Sequence, residues 1–425
     1  MSTKKRLTVE VMAVGSELLT PYYQDTNSLY LTERLNELGM EVSYKTVVSD
    51  NWDELLLCIN QALSRANLIM AIGGLGPTRD DRTREAFAAA LGRKLIFKEE
   101  ILRKIEERFK RRGLSMPAVN KKQAYIIDGA EPLENRNGTA PGLWLETGMN
   151  KIVLLPGPPV ELKPMFDTSV WPRLQKFRAG YAARKVLKIT GLTESEVETL
   201  ISNIYPQSPD LNVTTLCYPG QIELHLTAHS RESQRKAEAK AKILAKKFLN
   251  RLKENAFSEQ GEELEEVVGN LLRGKKKTLA VAESCSGGLL GHRLTNVSGS
   301  SDYFLMAVVA YSNEAKMNIL GLPSGLLNKH GAVSSHAAKA MAEAVREKAR
   351  SSYGLAITGI AGPTGGTPEK PVGLVYIALE WDKGSEVSKN LFLGKREFIK
   401  FQSSQKALDM LRRHLLQSIK KRKGV

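Results

Sequence analysis

The sequence predicts an α/β protein in three segments, with two larger α/β domains and a small α+β module between them. Its 425 residues are too many for one ordinary hydrophobic core. Short apolar runs alternate with amphipathic stretches in the first and last segments, which is typical of βαβ units. The middle segment instead shows an apolar face on both a strand and a helix. We place the domains at residues 1–178, 179–257 and 258–425.

The first segment is predicted to contain a parallel sheet, with strands at residues 7–14, 41–48, 68–72 and 151–155. Asp25, Thr26 and Asn27 have side chains that cap helices. The helix that they begin is expected to reach Leu38 and to end at Gly39, because glycine readily adopts the left-handed conformation that closes a helix.

The middle segment has the pattern of a β-α-β-β-α module. Residues 185–190 are predicted to form a strand, residues 194–204 a helix, and two further strands flank the Pro219-Gly220 turn. Apolar and polar residues alternate in the second of these strands, so one sheet face should be buried. A long helix follows, with an apolar face made by Ala241, Leu244, Ala245, Phe248, Leu249 and Leu252.

The third segment begins near residue 258 with an apolar helical stripe at residues 264–271. A helix is predicted at about residues 335–350. Strands are predicted at residues 278–282, 303–311, 355–360 and 372–379. We expect a sheet with helices on both faces.

Charge and composition narrow the function classes. The net charge of +16 favours anionic partners such as nucleotide phosphates, nucleic acid or acidic lipid. Much of the excess lies in residues 231–253 and in the tail from Lys400, where solvated helix faces are the simpler explanation. The sequence has neither a long apolar span nor a secretory pattern at its start, and its three cysteines are too scattered for a disulfide framework or a zinc site. We expect a cytoplasmic protein with no membrane partner, and nucleic acid only under the alternative function given below.

Residues 73–81, with the sequence GGLGPTRDD, directly follow a predicted strand. Glycines let backbone amides approach a phosphate, and a helix N-terminus adds partial positive charge. Asp80 and Asp81 have the hard oxygen ligands that a divalent cation prefers, and such a cation can polarise a phosphoryl group. Thr78 and Asp81 also have the spacing of a helix capping box, which is a purely structural role.

Three other loops are expected at the same sheet edge, because ligands of open α/β sheets lie beyond the carboxyl ends of the strands. They are residues 15–17 (GSE), residues 137–142 (NGTAPG) and residues 156–159 (PGPP), and Glu161 follows the last of them. Each loop taken alone also fits ordinary turn chemistry.

Residues 282–288, with the sequence AESCSGG, also leave a strand and open a helix. A serine hydroxyl there lies beside N–H groups that can stabilise an oxyanion, but it needs a base. Lys316 follows another strand and can be that base if burial lowers its pKa, as in other Ser-Lys pairs. Residues 358–363 (TGIAGP) can supply backbone donors, and residues 394–396 (GKR) can hold a phosphate by charge.

The residues of this second group also allow different roles. His292, His330 and His336 are alternative bases if the fold brings one of them close. Lys316 can instead be a solvated lysine on a helix. Cys285 is expected to be a small buried residue rather than a nucleophile.

Over about its first 170 residues the chain resembles the N-terminal domain of the competence/damage-inducible CinA family, itself similar to molybdopterin-binding domains. The glycine-Asp-Asp loop and the Pro-Gly-Pro-Pro loop carry this resemblance, and residues 20–24 (TPYYQ) are longer than the turn expected there. It implies a molybdopterin-binding-like α/β/α fold and a metal-dependent ADP-ribose pyrophosphatase, with a divalent metal ion at Asp80 and Asp81. With the loops above, the residues expected near the substrate are Gly15, Glu17, Gly73, Gly74, Gly76, Thr78, Asn137, Gly138, Pro156 and Gly157.

Four spaced motifs between about residues 262 and 415 resemble the nicotinamide mononucleotide deamidase domain of the same family. The resemblance implies a three-layer α/β/α domain that hydrolyses the carboxamide to the acid plus ammonia without a cofactor. Ser286 is our first choice for the attacking hydroxyl and Ser284 the second, with Lys316 as the base. The residues expected to bind the substrate are Gly287, Gly288, Ser300, Tyr311, Asn313, Thr358, Gly359, Gly362 and Arg396.

The middle segment resembles the K-homology-type connecting domain of this family. RNA-binding versions use a Gly-X-X-Gly loop, whereas Gly191 and Gly220 each stand alone at that spacing, so we expect a spacer that helps to form a homodimer. The leading hypothesis is a bifunctional hydrolase of pyridine-nucleotide recycling that acts on nicotinamide mononucleotide and ADP-ribose. The alternatives are a deamidase whose N-terminal domain only binds a pterin or nucleotide, and a nucleic-acid-associated competence protein.

Overall fold

The computed structural model of the chain describes residues 7–148, 150–178 and 180–423. They form two compact units, of which the first extends to Ala183 and includes His229–Glu238. The second contains Arg184–Ala228 and continues from Ala239. Within the described ranges, every helix is too short or too polar to cross a membrane.

The N-terminal sheet has the strand order β2-β1-β3-β8-β7-β6, and β4 pairs with β5 apart from it. In chain order the strands are β1 (Val9–Val14), β2 (Val42–Val48), β3 (Leu68–Ile72), β4 (Leu95–Phe97), β5 (Tyr125–Ile127), β6 (Glu131–Leu133), β7 (Gly142–Thr147) and β8 (Asn150–Leu155). The neighbours β2, β1, β3 and β8 are parallel, as predicted. The prediction of a parallel sheet is wrong at the β7 and β6 edge, which is antiparallel. Two residues separate β7 from β8, and so short a connection joins antiparallel strands.

The helices of this domain cover both faces of the sheet. They are α1 (Thr26–Glu37), α2 (Trp52–Arg65), α3 (Thr83–Ala90), α4 (Glu99–Arg111), α5 (Pro159–Met165) and α6 (Trp171–Leu174), with 3₁₀ turns at Ser16–Leu19, Ala118–Ala124 and Gln175–Phe177 and a π turn at Phe166–Val170. As predicted, Asp25 caps α1 by accepting a hydrogen bond from the Ser28 N–H at 2.9 Å, and the chain leaves the helix through Gly39 with a φ of +67°. Successive β1 residues face the hydrophobic cores on opposite sides of the sheet. Val11 packs in the core with α1 and α5, and Met12 packs in the core with α2 and α3.

The connecting module confirms the predicted β-α-β-β-α order and adds one strand, so that the sheet order is β10-β11-β9-β12. Its elements are β9 (Tyr181–Ile189), α7 (Glu194–Ile201), β10 (Leu211–Tyr218), β11 (Gln221–Ser230), α8 (Gln234–Leu252) and β12 (Ala256–Ser258), with 3₁₀ turns at Ser202–Ile204 and Lys253–Asn255. Alternate β11 residues Ile222, Leu224 and Leu226 pack with Phe248 of α8 in one core. One sheet face is therefore buried, as the alternation indicates.

The C-terminal sheet has the order β14-β13-β15-β16-β17 and helices on both faces, as predicted. Its elements are α9 (Leu264–Lys275), β13 (Leu279–Glu283), α10 (Leu289–Thr295), a 3₁₀ turn (Ser300–Asp302), β14 (Phe304–Val309), α11 (Asn313–Asn318), α12 (Ser324–His330), α13 (Ser335–Ala349), β15 (Tyr353–Gly359), β16 (Leu374–Trp381), β17 (Gly384–Leu391) and α14 (Arg396–Lys423). β14, β13 and β15 are parallel, and β16 and β17 are antiparallel. β17 escaped prediction because its sequence, GSEVSKNL, is polar and lies at an exposed sheet edge.

Candidate active sites

A cleft of about 610 Å³ lies at the carboxyl edge of the N-terminal sheet, among the loops that follow β1, β3 and β8. Tyr23, from the long turn at residues 20–24, also lines this cleft. The structure brings these loops together as expected, and the cleft is lined by the predicted residues Gly15, Glu17, Gly73, Gly74, Gly76, Asp80, Asp81, Pro156 and Gly157.

The loop after β3 needs glycine for steric reasons. Gly73 and Gly74 have φ values of +95° and +66°, which side chains disfavour. A Cβ on Gly73 would lie 2.4 Å from the Val14 carbonyl oxygen, and one on Gly74 would lie 2.0 Å from Thr83 Oγ1. The loop therefore packs directly against the end of β1 and the start of α3, so its backbone lines the cleft.

Asp81 is held by its own loop. Its Oδ2 accepts a hydrogen bond from the Thr78 N–H at 2.9 Å and a second from the Thr78 hydroxyl. α3 begins only at Thr83, after Arg82, so the capping-box interpretation is wrong, and Thr78 supports Asp81 from behind rather than lining the cleft. Asp80 is exposed, and hydrogen bonds from Thr78 and from its own backbone lower the pKa of its carboxyl.

The cleft is acidic, although the whole chain carries a charge of +16. The carboxylates on its wall are Glu17, Asp25, Asp50, Asp80, Asp81 and Glu161. Among the described residues that line it there is no lysine or arginine. The described part of the chain has no group of three or more His, Cys, Asp or Glu side chains placed to hold one metal ion. Two adjacent carboxylates still fit a hard cation such as Mg²⁺, which usually completes its shell with waters and substrate phosphates.

Two predicted residues support this cleft without lining it. Asn137 Nδ2 donates to the Val160 carbonyl oxygen at 2.7 Å, and the Gly138 N–H donates to Asn135 Oδ1 at 2.7 Å. These contacts fix the loop before β7 against the start of α5. The next residue, Thr139, lines the cleft instead.

Sequence reasoning missed Asp50 and Gln123 on the cleft wall. Asp50 Oδ2 accepts hydrogen bonds from the Ser16 N–H and hydroxyl, both at 2.8 Å, and its place just after β2 was an available signal. Gln123 lies in the turn Ala118–Ala124, and its Oε1 accepts a hydrogen bond from Asn120 Nδ2 at 2.9 Å. This turn has neither glycines nor strand alternation to mark it.

In the C-terminal domain, Lys316 is buried and contacts a serine. Only 1% of its surface is exposed, so the alternative of a solvated lysine is wrong. Its Nζ lies 3.0 Å from Ser284 Oγ, 2.9 Å from the Ala310 carbonyl oxygen and 3.1 Å from the Tyr311 carbonyl oxygen. Burial lowers the pKa of this amine below the usual lysine value.

Of the two candidate serines, the structure brings Ser284, our second choice, into contact with Lys316. Ser284 is the first residue after β13 and faces Lys316. Ser286, our first choice, is fully buried, and its Oγ has no hydrogen-bond partner in the described part of the chain. Cys285 between them is buried as predicted, and burial raises the pKa of its thiol to about 12, which keeps it protonated.

The N–H groups of the three glycines in this turn already have acceptors within the domain. Glu283 is fully buried at the end of β13 and accepts hydrogen bonds from the N–H groups of Gly288 and Gly291 at 3.1 and 2.8 Å. The Gly287 N–H donates to the Ser284 carbonyl oxygen at 3.1 Å. Gly287 and Gly288 therefore shape the turn, with φ values of +62° and +90°, rather than offering free donors.

A cationic rim lies beside this loop. Arg396 donates to the Tyr311 hydroxyl at 3.1 Å and to the Gly362 carbonyl oxygen at 2.7 Å, so three predicted residues meet. Lys400 lies one turn further along α14, with its Nζ 3.5 Å from where a Cβ on Gly287 would stand. Sequence reasoning missed Lys400, although its i,i+4 spacing from Arg396 places both on one helix face.

Three other predicted residues have structural roles or lie at the surface. The buried Thr358 hydroxyl donates to the Ala332 carbonyl oxygen at 2.8 Å. A Cβ on Gly359 would lie 2.6 Å from the Leu374 carbonyl oxygen, so glycine is needed there for strand packing. Asn313 is the exposed first residue of α11.

Ser300 and the histidines do not join the serine–lysine pair within the chain. Ser300 precedes β14, whereas the candidate residues follow the carboxyl ends of the parallel strands, so the length of a strand, roughly 20 Å, separates them. His292 is exposed and lies 3.3 Å from Asn296 Nδ2, and the rings of His330 and His336 stack on each other at 3.8 Å. Each of these three histidines contacts another residue instead. Among the candidate bases, Lys316 is the one that contacts a candidate serine.

Fold and sites together define a class of protein with a molybdopterin-binding-like α/β domain, a K-homology-type module and an α/β domain that holds a buried serine–lysine contact. Three family models match the chain in this order. The probable molybdopterin binding domain matches residues 10–176, the damage-inducible protein CinA KH domain residues 184–258, and the CinA C-terminal domain residues 261–415. The chain belongs to the CinA family, which confirms the resemblance and the fold class predicted from the sequence.

Curated relatives match the chain over nearly its whole length. The CinA-like protein of Koribacter versatilis is 45% identical over 96% of this chain and 99% of its own length. The putative competence-damage inducible protein of Caldicellulosiruptor bescii is 42% identical over 96% of this chain and 100% of its own. Among solved structures, the CinA superfamily protein of Klebsiella pneumoniae 700603 is 30% identical and covers 36% of this chain and 96% of its own, with a TM-score of 0.36.

Proposed function

We propose that this protein is a bifunctional hydrolase. Its C-terminal domain converts nicotinamide mononucleotide to nicotinate mononucleotide and ammonia, and its N-terminal domain hydrolyses ADP-ribose to AMP and ribose 5-phosphate. The observation that carries the proposal is the buried 3.0 Å contact between Lys316 Nζ and Ser284 Oγ. The cationic rim of Arg396 and Lys400 supports a substrate that carries a phosphate.

The surroundings of Lys316 suit a neutral amine that acts as a base. A neutral amine has two N–H donors and one lone pair. The carbonyl oxygens of Ala310 and Tyr311, at 2.9 and 3.1 Å, can accept both N–H groups, which leaves the lone pair for the Ser284 hydroxyl. Because burial lowers the pKa of Lys316, the neutral form is reached closer to physiological pH than for an exposed lysine.

In the proposed reaction, Lys316 takes the proton of Ser284 as Oγ attacks the carboxamide carbon. The carbon–nitrogen bond then breaks, and Lys316 returns the proton to the departing nitrogen, which leaves as ammonia. A water molecule then gives a proton to Lys316 as it attacks the ester carbon. The bond to Ser284 Oγ breaks, Lys316 returns the proton to this oxygen, and the acid is released. Ser284 is thus the proposed nucleophile, and Ser286 remains the second candidate.

The acidic cleft suits the second reaction only together with a cation. ADP-ribose is a diphosphate, and the carboxylates on the cleft wall would repel it. We assign a divalent cation to Asp80 and Asp81, where it would neutralise phosphate charge and polarise the phosphoryl group. The backbone of Gly73 and Gly74 and the amide of Gln123 are then placed to contact the phosphates and the sugar.

The decisive test compares Ser284→Ala with Ser286→Ala in the full chain. Ammonia release from nicotinamide mononucleotide should fall by about a thousandfold or more in Ser284→Ala and by much less in Ser286→Ala. ADP-ribose hydrolysis in both variants controls for the amount of intact chain, and the thermal unfolding midpoint of each variant controls for folding of the C-terminal domain. A large loss in Ser286→Ala alone would restore the first choice made from the sequence, and full activity in both variants would refute the serine mechanism.

The same assays separate the alternative functions. Deamidation without ADP-ribose hydrolysis would indicate an N-terminal domain that only binds its ligand. Tight, salt-sensitive binding of RNA or DNA with neither hydrolysis would instead indicate a nucleic-acid-associated protein.

A further inference from the structure

We propose that Lys122 is a positioning residue that holds the Asp80–Asp81 loop in the shape needed for cation and phosphate binding. This inference rests on the proposed ADP-ribose hydrolysis. Lys122 Nζ donates to the Thr78 carbonyl oxygen at 3.1 Å and to the Asp81 carbonyl oxygen. Its Nζ also lies 3.7 Å from Glu85 Oε1 of α3.

Lys122 contacts the loop from outside the cleft. It lines a separate depression with Pro77, Thr78 and Arg79. The next residue in the same turn, Gln123, lines the cleft itself. The turn Ala118–Ala124 therefore offers one side chain to the cleft and uses another to fix the loop that carries the two carboxylates.

The contact ties the two ends of a short segment together. Thr78 and Asp81 bracket Asp80, and their carbonyl oxygens converge on one ammonium group. The Thr78–Asp81 side-chain contact closes the loop on itself, whereas Lys122 connects it to another part of the fold. Small displacements of a ligand loop cost much activity, because a misplacement of about 1 Å can lower a rate by roughly a hundredfold.

The test uses Lys122→Met, Lys122→Arg and the matched control Lys121→Met in the full chain. Lys121 is the exposed neighbour in the same turn, so its replacement removes the same charge without touching the loop. One readout is amide hydrogen exchange of residues 76–82 in the free protein. The other is the Mn²⁺ concentration that gives half-maximal ADP-ribose hydrolysis, measured with kcat and KM.

In Lys122→Met, exchange in this loop should become about tenfold faster and the Mn²⁺ requirement should rise about tenfold, because two charge-assisted hydrogen bonds are lost. Lys122→Arg should recover a large part of both, and Lys121→Met should match the parent chain. Deamidation of nicotinamide mononucleotide should be unchanged in all three variants, which reports that the C-terminal domain folds, and unchanged amide exchange outside residues 76–82 reports that the N-terminal domain folds.

Three results would overturn the proposal. They are unchanged exchange and Mn²⁺ requirement in Lys122→Met, an equal effect in Lys121→Met, or a lower Mn²⁺ requirement, which would mean that the ammonium mainly repels the cation. If the parent chain does not hydrolyse ADP-ribose but Lys122→Met still exchanges faster in this loop, the proposed N-terminal function fails while the positioning of the loop stands.

Discussion

The two candidate sites occupy the same kind of place in their sheets and have opposite electrostatics. Both lie where parallel strands end, but the N-terminal cleft is lined by carboxylates, whereas the C-terminal pair has a buried amine and a cationic rim. The chain's charge of +16 does not describe the N-terminal site, since this acidic cleft lies within a basic protein. Strand topology therefore fixes where a site forms, and the loop side chains decide which chemistry it supports.

The largest effect that separates the sites is expected from Lys316. Lys316→Met removes the proposed base from a buried position, so deamidation should fall by about a thousandfold or more. Lys316→Arg keeps a positive charge but cannot lose its proton, and it should be equally inactive. ADP-ribose hydrolysis should be unchanged in both, as measured on the same preparations. Deamidation by Lys316→Arg at the parent rate would show that positive charge, and not proton transfer, is what the site needs.

Asp81→Asn is expected to have the opposite selectivity, with a loss of ADP-ribose hydrolysis and unchanged deamidation. The amide oxygen can still accept the hydrogen bonds from Thr78, so the change removes mainly the charge that would bind the cation. ADP-ribose hydrolysis should fall by roughly a hundredfold, and a chelator should abolish it in the parent chain. Asp25→Asn is the matched control, because it removes a charge from the same cleft while asparagine still caps α1. Inhibition of deamidation by the chelator would contradict the assignment of the cation to one site.

The sequence predicted the glycine turns and the strand ends well, because these are local signals. Gly73 and Gly74 allow backbone shapes that side chains exclude, and the buried strands before them are plain apolar runs. Which of Ser284 and Ser286 contacts Lys316 was not predictable, because two hydroxyls in one tight turn are distinguished only by a residue more than 30 positions away. Lys122 was missed for the same reason, since its partners lie about 40 residues earlier in the chain.

A smaller and graded difference is expected in pH dependence. The proposed deamidation mechanism requires neutral Lys316, so kcat/KM should fall about tenfold for each pH unit below the pKa of this amine. Because burial lowers that pKa, the plateau should begin at a lower pH than for an exposed lysine. ADP-ribose hydrolysis should not fall in the same pH range, since the lowered pKa of Asp80 keeps its carboxylate ionised at those pH values. A deamidation limb at the pH of an ordinary exposed lysine would mean that the amine is solvated in the working enzyme.

The smallest effect is expected from Lys400→Met and tests whether the cationic rim holds the substrate phosphate. Lys400 stands beside the Gly287 turn but makes no contact with Ser284 or Lys316 in the described structure, so its loss should weaken binding and spare the chemistry. For a partly exposed charge, a loss of about 1 kcal/mol of binding free energy is expected, which raises KM roughly fivefold at constant kcat.

Lys383→Met is the matched control, because Lys383 is exposed in the turn between β16 and β17, at the opposite edge of the sheet. If the rim binds a phosphate, Lys400→Met should remove the difference in KM between nicotinamide mononucleotide and the uncharged nucleoside. An equal rise in KM for both substrates would mean that Lys400 only stabilises the turn. Arg396 alone would then bind the phosphate.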